Sequence, residues 1–366
     1  MSTSPEIVIG LLADPNLPTL VARTLTADLP DALAARVGDG IRWRIETVHE
    51  PFEIAASHDR VIDKARARVT DTGWDIAICI TDIPIETGNG VVVADVGHHD
   101  RVALVSLPAL GAVGLHRRAR EVSSAIIAEL VTQLDGPPPA GGDGTVEHVG
   151  TAIGSRLVRR VAPVDRDVDT ELVINGLAGR LRLLAGTVRA NQPWQLAVGL
   201  STALAAAATG SAFGILYSAI WELATVLERW RMIAGTVTAI WIFVVWLVVG
   251  HGLWQRGPRQ RPNHLGLLNT ATVLTVVTGV LVFYAVLYAL NLTAAALIIP
   301  PDFFAETIGR PVDLGDYLRV ALLASGLGTV AGAVGSGLED DVTVRRAAYS
   351  TREQQRRATY PRLTDA

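Results

Sequence analysis

The sequence predicts an α/β soluble domain, with a mixed and partly parallel sheet covered by helices, followed by an all-α bundle of four transmembrane helices. Two observations predict this division. The chain of 366 residues is 49% hydrophobic and only 19% charged, whereas an ordinary soluble protein has roughly 25% charged residues. The apolar excess lies in the second half, where four long stretches contain no Asp, Glu, Lys or Arg.

The four uncharged stretches are long enough to cross a bilayer. A helix of about 20 apolar residues spans a hydrocarbon core of roughly 30 Å, and these stretches lack the polar face of a helix in a soluble core. Trp194, Trp221, Trp230 and Trp254 flank the first two, as expected of indole rings at the headgroup boundary. Transmembrane helices are expected at about residues 195–220, 232–254, 265–291 and 320–338 (within residues 194–338). After residue 291 we expect an apolar hinge or interfacial turn that ends at Pro300 and Pro301.

Arginines predict the orientation of these spans. They are concentrated before the first span, between the second and third, and after the fourth, whereas the loop before the fourth is acidic. Cytoplasmic loops carry an excess of Lys and Arg, so we expect a multi-pass protein of the cytoplasmic (inner) membrane with both termini in the cytosol. In the basic tail, residues 339–366, one helix face carries Arg352, Arg356 and Arg357 and is expected to contact lipid.

Residues 1–134 show the alternation of strands and helices that is typical of a cytosolic α/β domain. The order β-α-β-α-β-β-β-α predicts a sheet that is parallel at first. A linker rich in Pro and Gly is expected at 135–145, followed by a connecting segment, 146–193, with a candidate strand at 168–174 and an Arg-rich amphipathic helix. The single cysteine, Cys79, lies in an apolar run and is expected to be an inert core thiol.

Polar side chains follow the first and third predicted strands. Asp14 comes after the first, and Thr81 and Asp82 come after the third. Parallel α/β sheets bind ligands at the carboxyl ends of their strands, so these residues form a candidate ligand cleft; alternatively, the two aspartates cap turns and helices. The phosphate-binding motifs G-x-G-x-x-G and G-x-x-x-x-G-K-[ST] are absent.

The predicted turn at residues 95–100 concentrates metal-binding side chains. Imidazole and carboxylate are ligands of zinc, but a site needs three or four converging groups, and a polar hairpin tip is the alternative. The order of elements around residues 80–83 and 105–108 loosely resembles zincin-type metalloproteases; their H-E-x-x-H helix is absent, so the resemblance implies a fold and no activity. The metal candidates are Asp95, His98, His99 and Asp100.

Small and hydroxyl side chains mark the third and fourth spans. Thr272, Thr275 and Thr278 recur every three residues, and Gly328 and Gly332 form a G-x-x-x-G pair. Both patterns favour close helix packing within the bundle or between protomers, and a pore lining is the alternative for the threonines. The run of residues 335–341, GSGLEDD, with VRRAAY at 344–349, is similar to the ends of uncharacterised actinobacterial-type multi-pass proteins with an N-terminal cytosolic α/β domain, a resemblance that implies no known activity.

These features favour a non-enzymatic sensing or interaction protein, whose cytosolic domain binds a ligand or partner. The reasons are that no catalytic constellation is visible and that no ionisable residue lies in the middle of a span. The alternatives are a small transporter or channel, and a membrane-tethered enzyme that is metal-dependent or nucleotide-linked. A folate-linked dehydrogenase is disfavoured, because such enzymes resemble one another in using a Tyr and a Lys, whereas the soluble half lacks tyrosine and its one lysine is Lys64. The expected partners are the lipid bilayer and, through the glycine-rich fourth span, a second copy; a net charge of −4 gives no reason to expect nucleic acid. The sequence identifies no cofactor.

Overall fold

A computed structural model describes residues 5–49, 58–132, 143–163, 169–254 and 262–337. The chain forms two compact units, and the boundary between them falls between Ala190 and Asn191.

The N-terminal unit is a mixed α/β domain built on one sheet of eight strands. Its strands are β1 (Glu6–Ala13), β2 (Arg42–His49), β3 (Ile76–Thr81), β4 (Glu86–Thr87), β5 (Gly90–Gly97), β6 (Val102–Ser106), β7 (Val158–Val161) and β8 (Thr170–Ile174). Its helices are α1 (Leu17–Val37), α2 (His58–Thr72), α3 (Leu107–Leu110), α4 (Leu115–Thr132), α5 (Asp143–Ile153) and α6 (Gly176–Ala190).

One half of this sheet is parallel, as the sequence predicts. The strands lie in the order β2-β1-β3-β6-β5-β8-β7, and β2, β1, β3 and β6 are parallel. All six residues of β3 are buried, because this strand lies inside the sheet and both of its faces are covered. Cys79 is fully buried in β3 and packs in a core cluster with Leu12 of β1, Leu104 of β6 and Ala65 of α2.

The other half of the sheet is antiparallel and reaches beyond the region predicted as the soluble domain. Strand β5 pairs with both β6 and β8, and β8 pairs with β7. Strands β7 and β8, which lie in the part of the sequence predicted as a connecting segment, therefore complete the sheet. The expected strand at 168–174 is present as β8, and the Arg-rich helix is present as α6.

The C-terminal unit is helical. Its helices are α7 (Trp194–Gly199), α8 (Ser201–Leu216), α9 (Ser218–Val226), α10 (Arg229–Gly250), α11 (Pro262–Ile298), α12 (Pro301–Ile308) and α13 (Leu314–Ser336). Three helical segments are long and apolar enough to cross a membrane: Arg229–Gly250, Gly266–Ile298 and Leu314–Ser336. A fourth candidate is the pair Gly176–Leu196 and Ser201–Leu216, which is bent by 61°. Three to four such helices support a membrane protein.

The first predicted span, residues 195–220, is not one helix. The helices α7, α8 and α9 divide it, with breaks at Leu200 and Tyr217. At Tyr217 the backbone becomes extended, and Trp221 then folds back to donate its Nε1–H to the carbonyl of Ile215 at 3.0 Å. Trp221 is only 4% exposed, so it is a core residue rather than the boundary residue that the sequence analysis predicted.

The expected hinge after residue 291 is also wrong. Helix α11 continues through Ile298, because residues 292–298 include no glycine or proline and the first proline is Pro300. At 37 residues and 1.5 Å per residue, the helix is about 55 Å long, longer than the hydrocarbon core. Its last turns join an apolar cluster in which Ala295 and Ile299 pack with Trp221 and Phe304.

Helix α13 packs against α8, α10 and α11. It runs antiparallel to α8, since Gly335 lies beside Thr202 and Ala203 whereas Gly214 lies beside Ala324. A second apolar cluster joins α7, α8, α10, α11 and α13, with Phe243 and Phe283 in edge-to-face contact at 5.2 Å between ring centroids.

Candidate functional site

The carboxyl edge of the parallel strands brings together two residues of the predicted ligand cleft. Ala13 of β1 is paired with Ile80 of β3, so the residues that follow them, Asp14 and Thr81, are neighbours. The Thr81 hydroxyl donates to Oδ2 of Asp14 at 2.6 Å. Both side chains are buried.

These two residues lie at the switch point of the sheet. The chain leaves β1 toward β2 on one side and then crosses to β3 on the other. The connections that leave the carboxyl ends of β1 and β3 therefore run to opposite sides, and doubly wound sheets bind ligands outside the strand ends at such a point. Asp14 and Thr81 thus occupy the position at which this topology most often holds a ligand.

The start of α1 is fixed on Asp14. The hydroxyl of Thr19, in the first turn, donates to the backbone carbonyl of Asp14 at 2.8 Å. Asn16 precedes the helix with φ of 69°, a positive value that residues with a side chain rarely adopt. Pro18 lies in the first helical turn and has no N–H, so this helix offers fewer donors to a phosphate than a glycine-rich loop would.

A third polar strand end extends the site. Ser106, at the end of β6, is paired with Thr81 and donates its hydroxyl to the carbonyl of Ile83 at 2.7 Å. The N–H of Ile83 in turn donates to the Thr81 hydroxyl at 3.2 Å. Asp82 lies between Thr81 and Ile83 in the sequence and is 8% exposed. The sequence analysis did not predict Ser106 as a cleft residue, although it is a polar residue directly after an apolar strand.

The predicted metal-binding residues diverge. His98 contacts Glu129 through Nε2 at 2.7 Å, and Asp100 forms an ion pair with Arg66 at 2.5 Å. Asp95 is buried within β5, opposite Glu171. His99 is exposed. Within the described ranges, no three His, Cys, Asp or Glu side chains are placed to hold a metal ion. The geometry therefore favours the alternative, a polar hairpin tip.

Glu129 of α4 is the centre of a polar network that the sequence analysis missed. Besides its contact with His98, the Glu129 carboxylate accepts hydrogen bonds from both terminal guanidinium nitrogens of Arg160, at 2.7 and 2.8 Å. Burial alone would raise the pKa of Glu129, but hydrogen bonds from His98, Arg160 and Thr145, together with the charge of Arg160, lower it to about 2. A carboxylate held ionised in this way joins the β5–β6 turn to α4, α5 and β7.

The threonines of the third span bond to their own helix. The hydroxyls of Thr272, Thr275 and Thr278 donate to the carbonyls of Leu268, Ala271 and Leu274, at 3.0, 2.8 and 2.8 Å. The Thr275 hydroxyl also accepts a hydrogen bond from Asn191 at 3.1 Å.

The glycines of the fourth span pack against α8 of the same chain. A side chain at Gly328 would collide with Ser211 and with the carbonyl of Ala207, and one at Gly332 would lie 3.1 Å from the carbonyl of Ala203. The face that was considered for contact with a second copy is thus occupied within the chain. The lipid-binding prediction for Arg352, Arg356 and Arg357 lies outside the described residues.

A buried asparagine joins three helices of the C-terminal unit. The amide nitrogen of Asn291 in α11 donates to the hydroxyls of Ser211 in α8, at 3.0 Å, and Ser325 in α13, at 2.9 Å. All three residues are at most 5% exposed. A hydrogen-bonded polar contact of this kind fixes the rotation of apolar helices about their axes.

Comparison of the chain with protein-family models, curated proteins and solved structures found no match. Its function must therefore be argued from its own residues.

Proposed function

We propose that this chain is a membrane-anchored, non-enzymatic sensing or interaction protein whose N-terminal α/β unit binds a small ligand at the carboxyl edge of β1 and β3. The observation that carries the proposal is the Asp14–Thr81 contact at the switch point. A buried carboxylate there is costly unless hydrogen bonds satisfy its charge, and the region beyond the carboxyl ends of the strands is where such sheets bind ligands.

The side chains at this edge favour a ligand that donates hydrogen bonds. Asp14 and Asp82 are acceptors when ionised, and the hydroxyls of Thr81 and Ser106 can both donate and accept. A phosphate would be repelled by the ionised Asp14 carboxylate, and the loop before α1 contains Pro15 and no glycine. The ligand class that fits is therefore a polyhydroxylated molecule, such as a nucleoside or sugar, or a small organic cation.

Cys79 provides the readout for testing this proposal. It is the single cysteine of the chain, it is fully buried, and it lies in β3 two residues before Thr81. A ligand that binds the folded unit and not the unfolded one stabilises it, so the correct compound should slow labelling of Cys79. We would screen nucleosides, sugars and polyamines against the full chain in detergent and measure the rate of thiol labelling.

If the ligand binds at this edge, its protection of Cys79 from labelling should depend on Asp14 and Thr81. A compound that slows labelling of the native chain tenfold should lose that effect in Asp14→Asn and in Thr81→Val. The control is Thr132→Val, which removes an exposed hydroxyl whose partner, among the described residues, is the Glu129 carbonyl of its own helix. Equal protection of all four chains would place the ligand elsewhere, and no protection by any of the three classes would overturn the assigned ligand chemistry.

A further inference from the structure

A shallow apolar groove of about 300 Å³ runs between α10 and α13 in the C-terminal unit. Its lining begins at Leu227, just after α9, and extends along α10 from Arg231 to Ile242 and along α13 from Leu322 to Val330. Both helices are long and apolar enough to cross a membrane. The flanks of the groove are exposed leucine, isoleucine and valine side chains, which in a membrane face lipid.

Two glycines create the groove. A Cβ atom added to Gly235 or Gly326 would meet no atom within 4 Å. This distinguishes them from Gly210, Gly214 and Gly328, where an added side chain would collide with a neighbouring helix. Gly235 and Gly326 therefore leave an open channel between α10 and α13 instead of allowing the helices to approach.

The polar end of the groove carries arginine. Arg231 lines it and stacks on Trp230, with 5.2 Å from the guanidinium carbon to the ring centroid. A carboxylate oxygen of Glu228 is 3.5 Å from Nε of Arg231. A guanidinium has five N–H donors. Among the described residues, no other acceptor is within bonding distance of Arg231. Arg319 of α13 lies at the same end, where it donates to the Thr225 carbonyl at 3.4 Å.

The length of the groove matches one leaflet of a bilayer. From Arg231 to Ile242 it follows about eleven residues of α10, or about 16 Å at 1.5 Å per residue, and half of the hydrocarbon core is roughly 15 Å. Trp230 and Arg231 at one end are residue types that favour the headgroup region. The groove thus runs from headgroup depth to the centre of the membrane.

We propose that this groove binds one acyl chain of an anionic phospholipid, whose phosphate is held by Arg231. A fatty chain fills the apolar channel that Gly235 and Gly326 leave open. The phosphate accepts hydrogen bonds from those N–H groups of Arg231 that do not bond to Glu228. This lipid site is independent of the ligand proposed for the α/β unit.

The test is native mass spectrometry of the full chain in detergent, titrated with phosphatidylglycerol or with phosphatidylcholine of the same acyl chains. We expect one phosphatidylglycerol to remain bound, with at least fivefold higher affinity than phosphatidylcholine. Gly235→Leu and Gly326→Leu, which fill the groove, should each weaken that binding at least tenfold. Arg231→Gln should retain binding but lose the preference for phosphatidylglycerol.

Gly266→Leu is the matched control, because Gly266 also has open space beside it but lies on α11, away from the groove. All four variants should elute at the native volume and unfold near the native temperature. In the three glycine variants, the new leucine favours a helix more than glycine does. Unchanged lipid binding in folded Gly235→Leu and Gly326→Leu would overturn the proposal. The proposal would also be overturned if the native chain were a dimer and these variants were monomers, because a second copy of the chain would then occupy the groove.

Discussion

Glu129 illustrates how strongly one residue can couple distant segments of the α/β unit. Its partners are His98, in the turn between β5 and β6, and Arg160, in β7. Each lies 31 residues away in sequence, on opposite sides of Glu129. An exposed ion pair contributes little to stability, but the Glu129 side chain is only 9% exposed and accepts both guanidinium donors of Arg160, an arrangement that is stronger than a single contact.

We predict that Glu129→Gln destabilises the α/β unit. The variant loses the charge and leaves Arg160 without its carboxylate; after allowance for solvent screening, the cost is about 2 kcal/mol. Labelling of Cys79 at pH 7 should therefore become roughly thirtyfold faster, at 1.4 kcal/mol per tenfold change. Glu121→Gln, on the same helix, removes a carboxylate that is 36% exposed and 3.4 Å from Arg36, and should change the rate less than threefold. Equal rates in the two variants would contradict the prediction.

The same carboxylate predicts an acid dependence. The pKa of Glu129 is about 2 in the folded chain, against 4.5 for an ordinary glutamate, so folding favours its ionised form. Its stabilisation is complete above about pH 4.5 and is lost as the pH falls toward 2. Labelling of Cys79 with a pyridyl disulfide, which reacts at acid pH, should accelerate over that window, and Glu129→Gln should remove part of the acceleration. A constant ratio between the two chains from pH 6 to 2.5 would contradict this assignment.

Residues at strand ends could be predicted from the sequence, whereas residues joined through space could not. The proximity of Asp14 and Thr81 follows from topology, because parallel strands end at the same edge of a sheet. The pairing of Glu129 with Arg160, and of Asn291 with Ser211 and Ser325, depends on which face of each helix is turned inward. A polar residue in an amphipathic or fully apolar helix gives no local sign of that partner.

At the scale of whole elements, uncharged stretches predicted which segments form apolar helices but not where these helices break. The end of α8 at Tyr217 depends on the burial of Trp221 against Phe304, with 5.4 Å between ring centroids. That contact joins segments about 80 residues apart, so no local pattern indicates it. Strand β7 was missed for a different reason: it has four residues, of which Arg159 is exposed, too few for a clear alternation.

The packing of α8 against α13 predicts opposite effects for two neighbouring glycines. At Gly328 a methyl group would collide with Ser211 and lie 2.6 Å from the Ala207 carbonyl, whereas at Gly326 it would enter open space. Gly328→Ala should therefore destabilise the chain by about 1–3 kcal/mol. Gly326→Ala should be neutral or stabilise it by roughly 0.5–1 kcal/mol, because alanine favours a helix.

Thermal unfolding of the full chain in one detergent measures this difference. The unfolding temperature of Gly328→Ala should fall by several degrees, and that of Gly326→Ala should equal or exceed the native value. Because the two sites are two residues apart on one helix, the variants are matched in depth and in chemistry. If both lowered the unfolding temperature equally, α8 and α13 would not pack as described.

At the scale of the whole molecule, the number of membrane crossings determines on which side each loop lies. Helices α10, α11 and α13 are long enough to cross, and α8 is a candidate only as part of a bent pair. If α8 crosses, three crossings separate the α/β unit from the turn between α12 and α13, and the two lie on opposite sides. If α8 does not cross, two crossings separate them and they share a side. The arginine bias predicts that the α/β unit lies in the cytosol.

We predict that all four helices cross and that the turn before α13 faces outward. Val113, in the α3–α4 loop, is 76% exposed, and Pro311, in the turn before α13, is exposed, so either can be replaced by cysteine. Fully buried Cys79 keeps the background low. A membrane-impermeant maleimide should label Pro311→Cys in intact cells, and Val113→Cys only after permeabilisation. Protection of both cysteines in intact cells would mean that α8 does not cross, and labelling of Val113→Cys alone would mean that the arginine-rich loops face outward.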